Sequence, residues 1–539
     1  MGQALRNVGI VSGVTMLSRV LGLARDMAIT AVFGASALAS AFVTAFTLPN
    51  LFRRLLGEGA LTAALVPTLQ EETRKNGDAG ADRLVSEVAS WTLLATGAIV
   101  LAAMLALGAH GWWAPRLEAA GMAPDTVARW AAGARLGVVL FPYLVTVCLA
   151  AVFSAALQTR GRFLEPALNP VWLNLSMLGL LGLGVHQVAA GDPAGRMEWL
   201  CGGVLLGGAL QMITPGLALR RLGWRPRFAP ARSAGVRQIA SLMLPTLFGS
   251  AIYLVNTTLS RLFALSVDDA AATLLNLSTR LMELPIGVFA IAVSTVYFPR
   301  IARHAAEGRP DLLAADYREG MRLILLINIP AAFGLAVLAE PITRVLFQRG
   351  AFTAADTALM TPVVGVGALA LPCLAFVSLA LRAFYAHKDT RTPVRAALWS
   401  FLANVVASLV LMGPLGVTGL ALAATLAVFV QAGYLQLRLG RLAPALGLGR
   451  LRVHLAKVVA AAMAMAAAVD LVRRAWEGAV GVGAWRDVAG LAVGVTAGLV
   501  VFAGVAWGLR VEGRDQLTAL LRRKLGRART ADGDKPGGG

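Results

Sequence analysis

The sequence predicts an all-α polytopic membrane protein of about fourteen transmembrane helices. Of its 539 residues, 57% are hydrophobic and 14% charged, whereas soluble globular chains carry about 25% charged residues. Mean hydropathy is +0.70. The apolar runs are about 20 residues long, the length of a helix that crosses the hydrocarbon core, not the alternating runs of about ten residues found in a membrane β-barrel.

In chain order, hydropathy places the spans near 8–33, 37–56, 84–109, 132–157, 164–185, 197–219, 238–264, 270–298, 318–339, 357–384, 394–413, 416–437, 454–473 and 487–509. The first contains Arg19 and Arg25 and lacks a small-residue cleavage site, so it reads as a span and not a cleavable signal. Spans one, two and eight are amphipathic. The connectors after the even-numbered spans are basic: Arg74/Lys75, Arg160/Arg162, six arginines from Arg220 to Arg237, Arg300/Arg303/Arg309, His387/Lys388/Arg391 and Arg438/Arg441/Arg450/Arg452. Those after spans seven and eleven are acidic or neutral, and those after spans three, five, nine and thirteen are mixed. The tail is basic again, from Arg522 to Arg529. The positive-inside rule then puts both termini in the cytoplasm, which requires an even number of spans. The last residues, ADGDKPGGG, are expected to be disordered.

The same rule accounts for the formal net charge of +20, because the excess arginine lies in short connectors; nucleic acid is not expected as a partner. Cys148, Cys201 and Cys373 lie in apolar stretches and read as packing residues. The five histidines are scattered without metal-ligand spacing, so no metal site is expected. There is no GxxxxGK phosphate loop, and no Ser or Thr is paired with a His in the manner of a nucleophile. The chain reads as a transporter, not an enzyme, with no cofactor. The energy source to expect is the membrane potential or a monovalent cation.

An internal repeat is visible. FPYLVTVCLAAVFSAALQTRGRFLEPALNPVWLNLSM and LPCLAFVSLALRAFYAHKDTRTPVRAALWSFLANVVA share an apolar-Pro opening, a small-residue helix, a basic turn, a Pro and an Asn. Pro142 to Asn174 and Pro372 to Asn404 are both 32 residues apart. Spans two and eight share a Leu-Pro opening (Leu48-Pro49, Leu284-Pro285). Two six-helix halves follow, with the last two spans as an addition, a common transporter plan.

The candidate site residues are charges that a bilayer disfavours. One arginine at the bilayer centre costs roughly 2.5–3.5 kcal/mol, so Arg19, Arg25, Arg53 and Arg280 together would cost on the order of 10–14 kcal/mol unless they face water or a partner. Arg19 and Arg25 are six residues apart, about 9 Å along a helix. Arg19 has no acid within a turn; Asp26 follows Arg25 and is not expected to face it. On span two, Asn50, Arg53 and Gly57 share a small polar face, while Arg54 can pair with Glu58. Arg53 reads either as a ligand-lining residue or as an anchor snorkelling to lipid phosphates. Arg280 and Glu283, at i and i+3, are placed to neutralise each other, either as a fixed ion pair or as one that exchanges the glutamate for a substrate anion. Guanidinium suits phosphate because its planar fork binds two oxygens and keeps its charge.

The segments SGVTMLSRVLGLARDMAITAVFGAS, AFTLPNLFRRLLGEGALTAALVP, RLMELPIGVFAIAVSTVYFPRI, LFQRGAFT and FYAHKDTRTPV together resemble the MurJ (MviN) family. These are lipid II flippases of the multidrug/oligosaccharidyl-lipid/polysaccharide exporter superfamily. The resemblance covers about residues 5–510. It implies two six-helix lobes, residues 1–220 and 221–440, around a central cavity, residues 441–510 as a groove for the lipid tail, and a basic cytoplasmic tail, 511–539, partly disordered. It implies a multi-pass protein of the bacterial plasma (inner) membrane that moves lipid II to the outer leaflet, with the bilayer and the cell-wall synthesis machinery as partners. The family's cavity positions map onto Arg19, Arg25, Arg53, Arg280, Asn50, Glu283 and Asp26. The chain departs from the pattern at Ser40, where several relatives carry an acid, at Thr47, where some carry a lysine, and at Thr279, where an acid precedes the arginine. A coupling-ion site is therefore not assigned. The competing readings are a flippase for another polyprenyl-diphosphate oligosaccharide and a cation-coupled multidrug exporter of the same superfamily. The second would want carboxylates in its cavity. A membrane transferase would need an Asp cluster that the sequence lacks.

Overall fold

A computed structural model describes residues 2–52, 61–286, 291–387, 389–442, 446 and 448–512. Helices make up nearly all of it, and no strand occurs among the described residues. The chain forms two compact units: unit 1 is Met1–Leu277 with Phe347–Asp356, and unit 2 is Ser278–Leu346 with Thr357–Gly539.

Unit 1 holds α1 (Gly2–Phe33), α2 (Ala37–Phe52), α3 (Leu61–Gly108), α4 (His110–Ala119), α5 (Pro124–Leu140), α6 (Tyr143–Thr159), α7 (Leu164–Gln187), α8 (Pro193–Arg221), α9 (Ala234–Val267) and the start of α10 (Ala271–Pro285). Its tightest pairing, α7 against α8, is built on glycine. A Cβ on Gly203 would lie 2.8 Å from the Met177 Cα, and one on Gly207 would lie 2.9 Å from the Leu173 Cα. Lipid tails are as apolar as leucine, so membrane helices associate through such close backbone approach and not through exclusion of water. Around this seam Tyr143, Leu144, Met177 and Leu200 form a core that includes Cys148 and Cys201, free thiols that pack as small apolar groups.

Unit 2 holds the rest of α10, α11 (Ile291–Ala306), α12 (Pro310–Val337), α13 (Ala339–Phe347), α14 (Ala354–Ala368), α15 (Leu371–Ala386), α16 (Arg391–Leu442), α17 (Arg452–Val480) and α18 (Ala484–Gly508). Its core gathers Tyr317, Met321, Ile324, Phe384, Leu435 and Val458. An ion network ties α13 to α17 and α18: Arg344 reaches Glu477 at 2.8 Å and Asp487 at 3.1 Å, and Arg473 reaches Glu477 at 3.1 Å and Asp470 at 2.9 Å.

By length and composition, eight helices among the described residues can cross a membrane, or nine if α5 and α6, bent by 45°, form one span. Hydropathy expects fourteen spans over the whole chain, and this count covers the described residues alone. The spans expected at 394–413 and 416–437 are the two arms of α16, separated where the backbone leaves the helical region at Gly416 (φ 53°, ψ −132°). Spans one, two, seven and eight fall on α1, α2, α9 and α10–α11, where Ala37–Phe52 and Ile252–Val267 are shorter apolar stretches among the described residues. Parts of spans two and eight also lie outside the described residues, as does the tail at 531–539.

The sequence repeat has a structural counterpart in each unit. α5 and α6 break at Phe141-Pro142, and α14 and α15 break at Leu369-Ala370. Each pair is followed by a helix carrying a buried asparagine, Asn174 or Asn404. In the second copy the turn is closed by Asp389, whose carboxylate accepts the N–H groups of Arg391 and Thr392, both at 3.0 Å, and the Thr392 hydroxyl at 2.6 Å. These are N–H groups of the first turn of α16, which have no partner within the helix.

The motif LFQRGAFT forms a strap on the C-terminal end of α1. Ala351 N–H donates to the Ala31 carbonyl at 2.8 Å. Gly34 (φ 63°) and Gly350 (φ 59°) flank this contact; a Cβ would meet the Ala351 oxygen at 2.6 Å from the first and the Ala31 oxygen at 2.2 Å from the second. Both the left-handed backbone and the lack of space therefore require glycine.

Two outcomes follow from this packing. Gly350→Ala is expected to destabilise the protein by about 1–3 kcal/mol, read as a lower melting temperature in detergent, because it combines a left-handed alanine with a backbone clash. Gly365→Ala, whose Cβ would meet nothing within 4 Å, is expected to be neutral or slightly stabilising. For Asp389, burial raises the carboxyl pKa, but the hydrogen bonds from Thr392 and Arg391 and the charge of Arg395 outweigh it and hold the group below its usual value. A carboxylate with a depressed folded-state pKa stabilises above its unfolded value, about 3.9, and that contribution is lost as pH falls through the lowered value. Asp389→Ala should therefore cost about 0.5–2 kcal/mol at neutral pH, with the gap to wild type closing below about pH 4 in melting curves.

Candidate functional site

In unit 1 the candidate residues cluster on α1. Arg25 and Asp26 are both buried, at 7% and 6% exposure. Sequence spacing put Asp26 off to the side of Arg25, but the structure overturns this. The Arg25 side chain is long enough to wrap round to its neighbour, and Nε and Nη2 both donate to Asp26 Oδ1, at 3.0 and 2.6 Å. A guanidinium in a low-dielectric interior takes the nearest carboxylate even when helical geometry places the two Cβ atoms about 100° apart.

The remaining arm of Arg25 reaches across to α7. Nη1 donates to Asn174 Oδ1 at 3.0 Å, and Asn174 Nδ2 donates in turn to the Ser18 carbonyl at 3.2 Å. One asparagine thus binds α1 at two places, on either side of Gly22. Asn174 was not among the residues named from the sequence as an arginine partner. Its signal was its fixed place in the repeat, 32 residues after Pro142.

Arg19 lies on the same helix, half-buried, and makes no ion pair or hydrogen bond among the described residues. The two α1 arginines are therefore in different states, Arg25 neutralised and held, Arg19 not. Asn50 is half-buried near the end of α2. Arg53, with Arg54 and Glu58, lies outside the described residues.

Ser40 is fully buried. Its Oγ lies 3.1 Å from Thr273 Oγ1 and accepts the Thr273 N–H at 3.3 Å, in the first turn of α10. A neutral hydroxyl here satisfies a helix N-terminus that would equally favour an anion.

In unit 2, Arg280 Nη1 donates to Glu283 Oε2 at 3.0 Å, as the i, i+3 spacing predicts. The side chains are 34% and 44% exposed, so this pair is more open to solvent than the buried Arg25–Asp26 pair.

A helical membrane fold with arginines in buried and half-exposed ion pairs on its helices belongs with the multi-pass membrane transporters. In fold it resembles an inward-facing multidrug resistance MATE family transporter of the MOP superfamily, with a TM-score of 0.61 at 13% identity, covering 81% of this chain and 98% of the other. A solved structure titled lipid II flippase MurJ, inward closed conformation, has a TM-score of 0.72 at 23% identity and covers 93% of this chain and 99% of its own.

The profile of the family described as lipid II flippase MurJ matches residues 29–489. A probable lipid II flippase MurJ of Haemophilus influenzae is 34% identical over 470 residues, 84% of this chain and 90% of the relative. The chain belongs to the MurJ lipid II flippase family, and its apolar helices make it a multi-pass protein of the inner membrane.

Removing Asp26 strands a positive charge in the interior. Asp26→Ala is expected to destabilise the protein by about 3–5 kcal/mol, and Arg25→Gln/Asp26→Asn by much less, measured as thermal unfolding in detergent. Equal losses in the two variants would mean that the pair is not the interaction holding α1.

Proposed function

We propose that this chain moves lipid II, undecaprenyl diphosphate bearing the disaccharide-pentapeptide, from the cytoplasmic to the outer leaflet by alternating access. The observation that supports this best is Arg19, a guanidinium on a membrane helix without an ion pair among the described residues. A diphosphate supplies the oxygens that such a group lacks, and guanidinium binds them bidentately. In this reading Arg19, Arg53 and Arg280 take the diphosphate, with Asn50 and Glu283 beside them, while Arg25, held by Asp26 and Asn174, fixes the helix that carries Arg19. Glu283 gives up Arg280 as the anion arrives.

The wider arrangement belongs to the same proposal. Residues 1–220 and 221–440 act as the two lobes, and residues 441–510 take the lipid tail. Both termini face the cytoplasm, as the connector charges require. The membrane potential resets the empty, positively charged site, because moving one charge through 100 mV is worth about 2.3 kcal/mol. Enzymes of cell-wall synthesis deliver and receive the lipid.

The test is replacement of the essential flippase in a conditional bacterial strain, with lipid II exposed on the outer face as the readout. Wild type should restore exposure. Arg19→Ala and Arg280→Ala, expressed to the same level, should lose most of it, and collapse of the potential in the wild-type strain should stop it. Full exposure in the two arginine variants would make these arginines structural. An expressed wild type without exposure would point to another polyprenyl-diphosphate glycolipid.

A further inference from the structure

The connector between α8 and α9, residues 222–233 of unit 1, carries a second concentration of charge that the transport reading does not use. From Arg220 to Arg237 there are six arginines and no acidic residue. All six are exposed, and none makes an ion pair among the described residues.

This connector is nevertheless held firmly against one side of α3. Trp224, itself buried, donates Nε1–H to Ser86 Oγ at 3.0 Å, and the Ala229 N–H donates to Ser90 Oγ at 2.9 Å. Trp91 Nε1–H donates to the Ala231 carbonyl at 2.9 Å, and Ser233 Oγ donates to Glu87 Oε2 at 2.5 Å. The four α3 residues, 86, 87, 90 and 91, recur at the spacing of a single helix face. Pro226 and Pro230 fix two further backbone angles. The Arg232 guanidinium lies 5.7 Å from the centre of the Trp91 ring. Phe228, between the anchors, is 66% exposed and Leu222, just before the first of them, 43% exposed, apolar groups standing among the arginines.

The positive-inside rule accounts for basic residues at this place, but it does not require them to be fixed in position. We propose that the connector is a docking site for anionic phospholipid headgroups, with its guanidiniums on the phosphates and Phe228 and Leu222 among the acyl chains. α8 is itself long and apolar enough to span the membrane and ends in Arg220-Arg221, so the connector begins where the headgroups are. Exposed aromatic and aliphatic groups interleaved with arginine suit an interface that is apolar on one side and anionic on the other. A rigid segment binds with less ordering cost than a floppy one.

The experiment uses the full-length protein in a neutral maltoside detergent, titrated with acyl-labelled phosphatidylglycerol or phosphatidylcholine and followed by fluorescence anisotropy. Phosphatidylglycerol should bind at least about tenfold more tightly, and the preference should shrink as sodium chloride rises from about 0.1 to 0.5 M. The preference should be lost in Arg220→Gln/Arg225→Gln/Arg227→Gln. None of these three side chains holds the connector to α3, so the melting temperature should be unchanged. Equal affinity for the two lipids overturns the proposal. So does a preference that survives in the variant, which would place the anionic lipid elsewhere, including the transport site. Displacement of the labelled lipid by inorganic phosphate or by a polyglutamate peptide as effectively as by unlabelled phosphatidylglycerol would make this a soluble-anion or acidic-protein site and overturn the lipid assignment.

Discussion

A guanidinium keeps its charge inside a membrane protein, and an arginine buried on a spanning helix must therefore find oxygen. This requirement organises both units. In unit 1 it draws Asp26 onto Arg25 and brings Asn174 of α7 against α1. In unit 2 it joins Arg280 to Glu283 and ties α13 to α17 and α18 through Arg344 and Arg473. Where the pair is buried it acts as a fixed brace, because separating it would leave a charge without solvent. Where it is half-exposed, as at Arg280, solvent screens the charges and the pair contributes less.

Close packing supplies the frame in which these charges are held. α7 and α8 approach through Gly203 and Gly207 until a methyl group would overlap backbone atoms, and this seam fixes the position of Asn174. The strap at Gly350 works in the same way at the C-terminal end of α1, where two left-handed glycines let two backbones meet with one hydrogen bond between them. α1 is thus gripped at Ser18, at Arg25 and at Ala31, all by polar contacts of a kind that lipid cannot replace. Arg19 sits between the first two grips, on a helix whose position is set on either side of it.

Much of this was legible in the chain. Composition and run length gave the helical membrane class, and the repeat pointed to paired breaks that recur at Pro142 and near Pro372. The Arg280–Glu283 pair could be read from i, i+3 spacing, since two neighbouring positions on one helix face meet wherever the helix goes. The division of α16 into two spans was also legible, because its backbone break at Gly416 falls between the apolar runs 394–413 and 416–437. α1 carries Arg19, Arg25 and Asp26 along a largely apolar helix, and these charges are what make it of interest.

The sequence by itself determined the membrane class, the resemblance to the flippase family, the candidate arginines and the local ion pair in α10. All of these rest on composition or on neighbours along one helix. Only the tertiary structure decided which arginine is held and which is not. Asn174 lies 149 residues from Arg25, and no helical spacing relates them; their contact exists because glycines let α7, α8 and α1 settle at particular distances. The pairing of Ser40 with Thr273, 233 residues apart, has the same origin, as does the turning of Asp26 toward Arg25. In a low-dielectric interior the partner of a charge is set by which polar group the packing brings within reach, and that is a property of the fold.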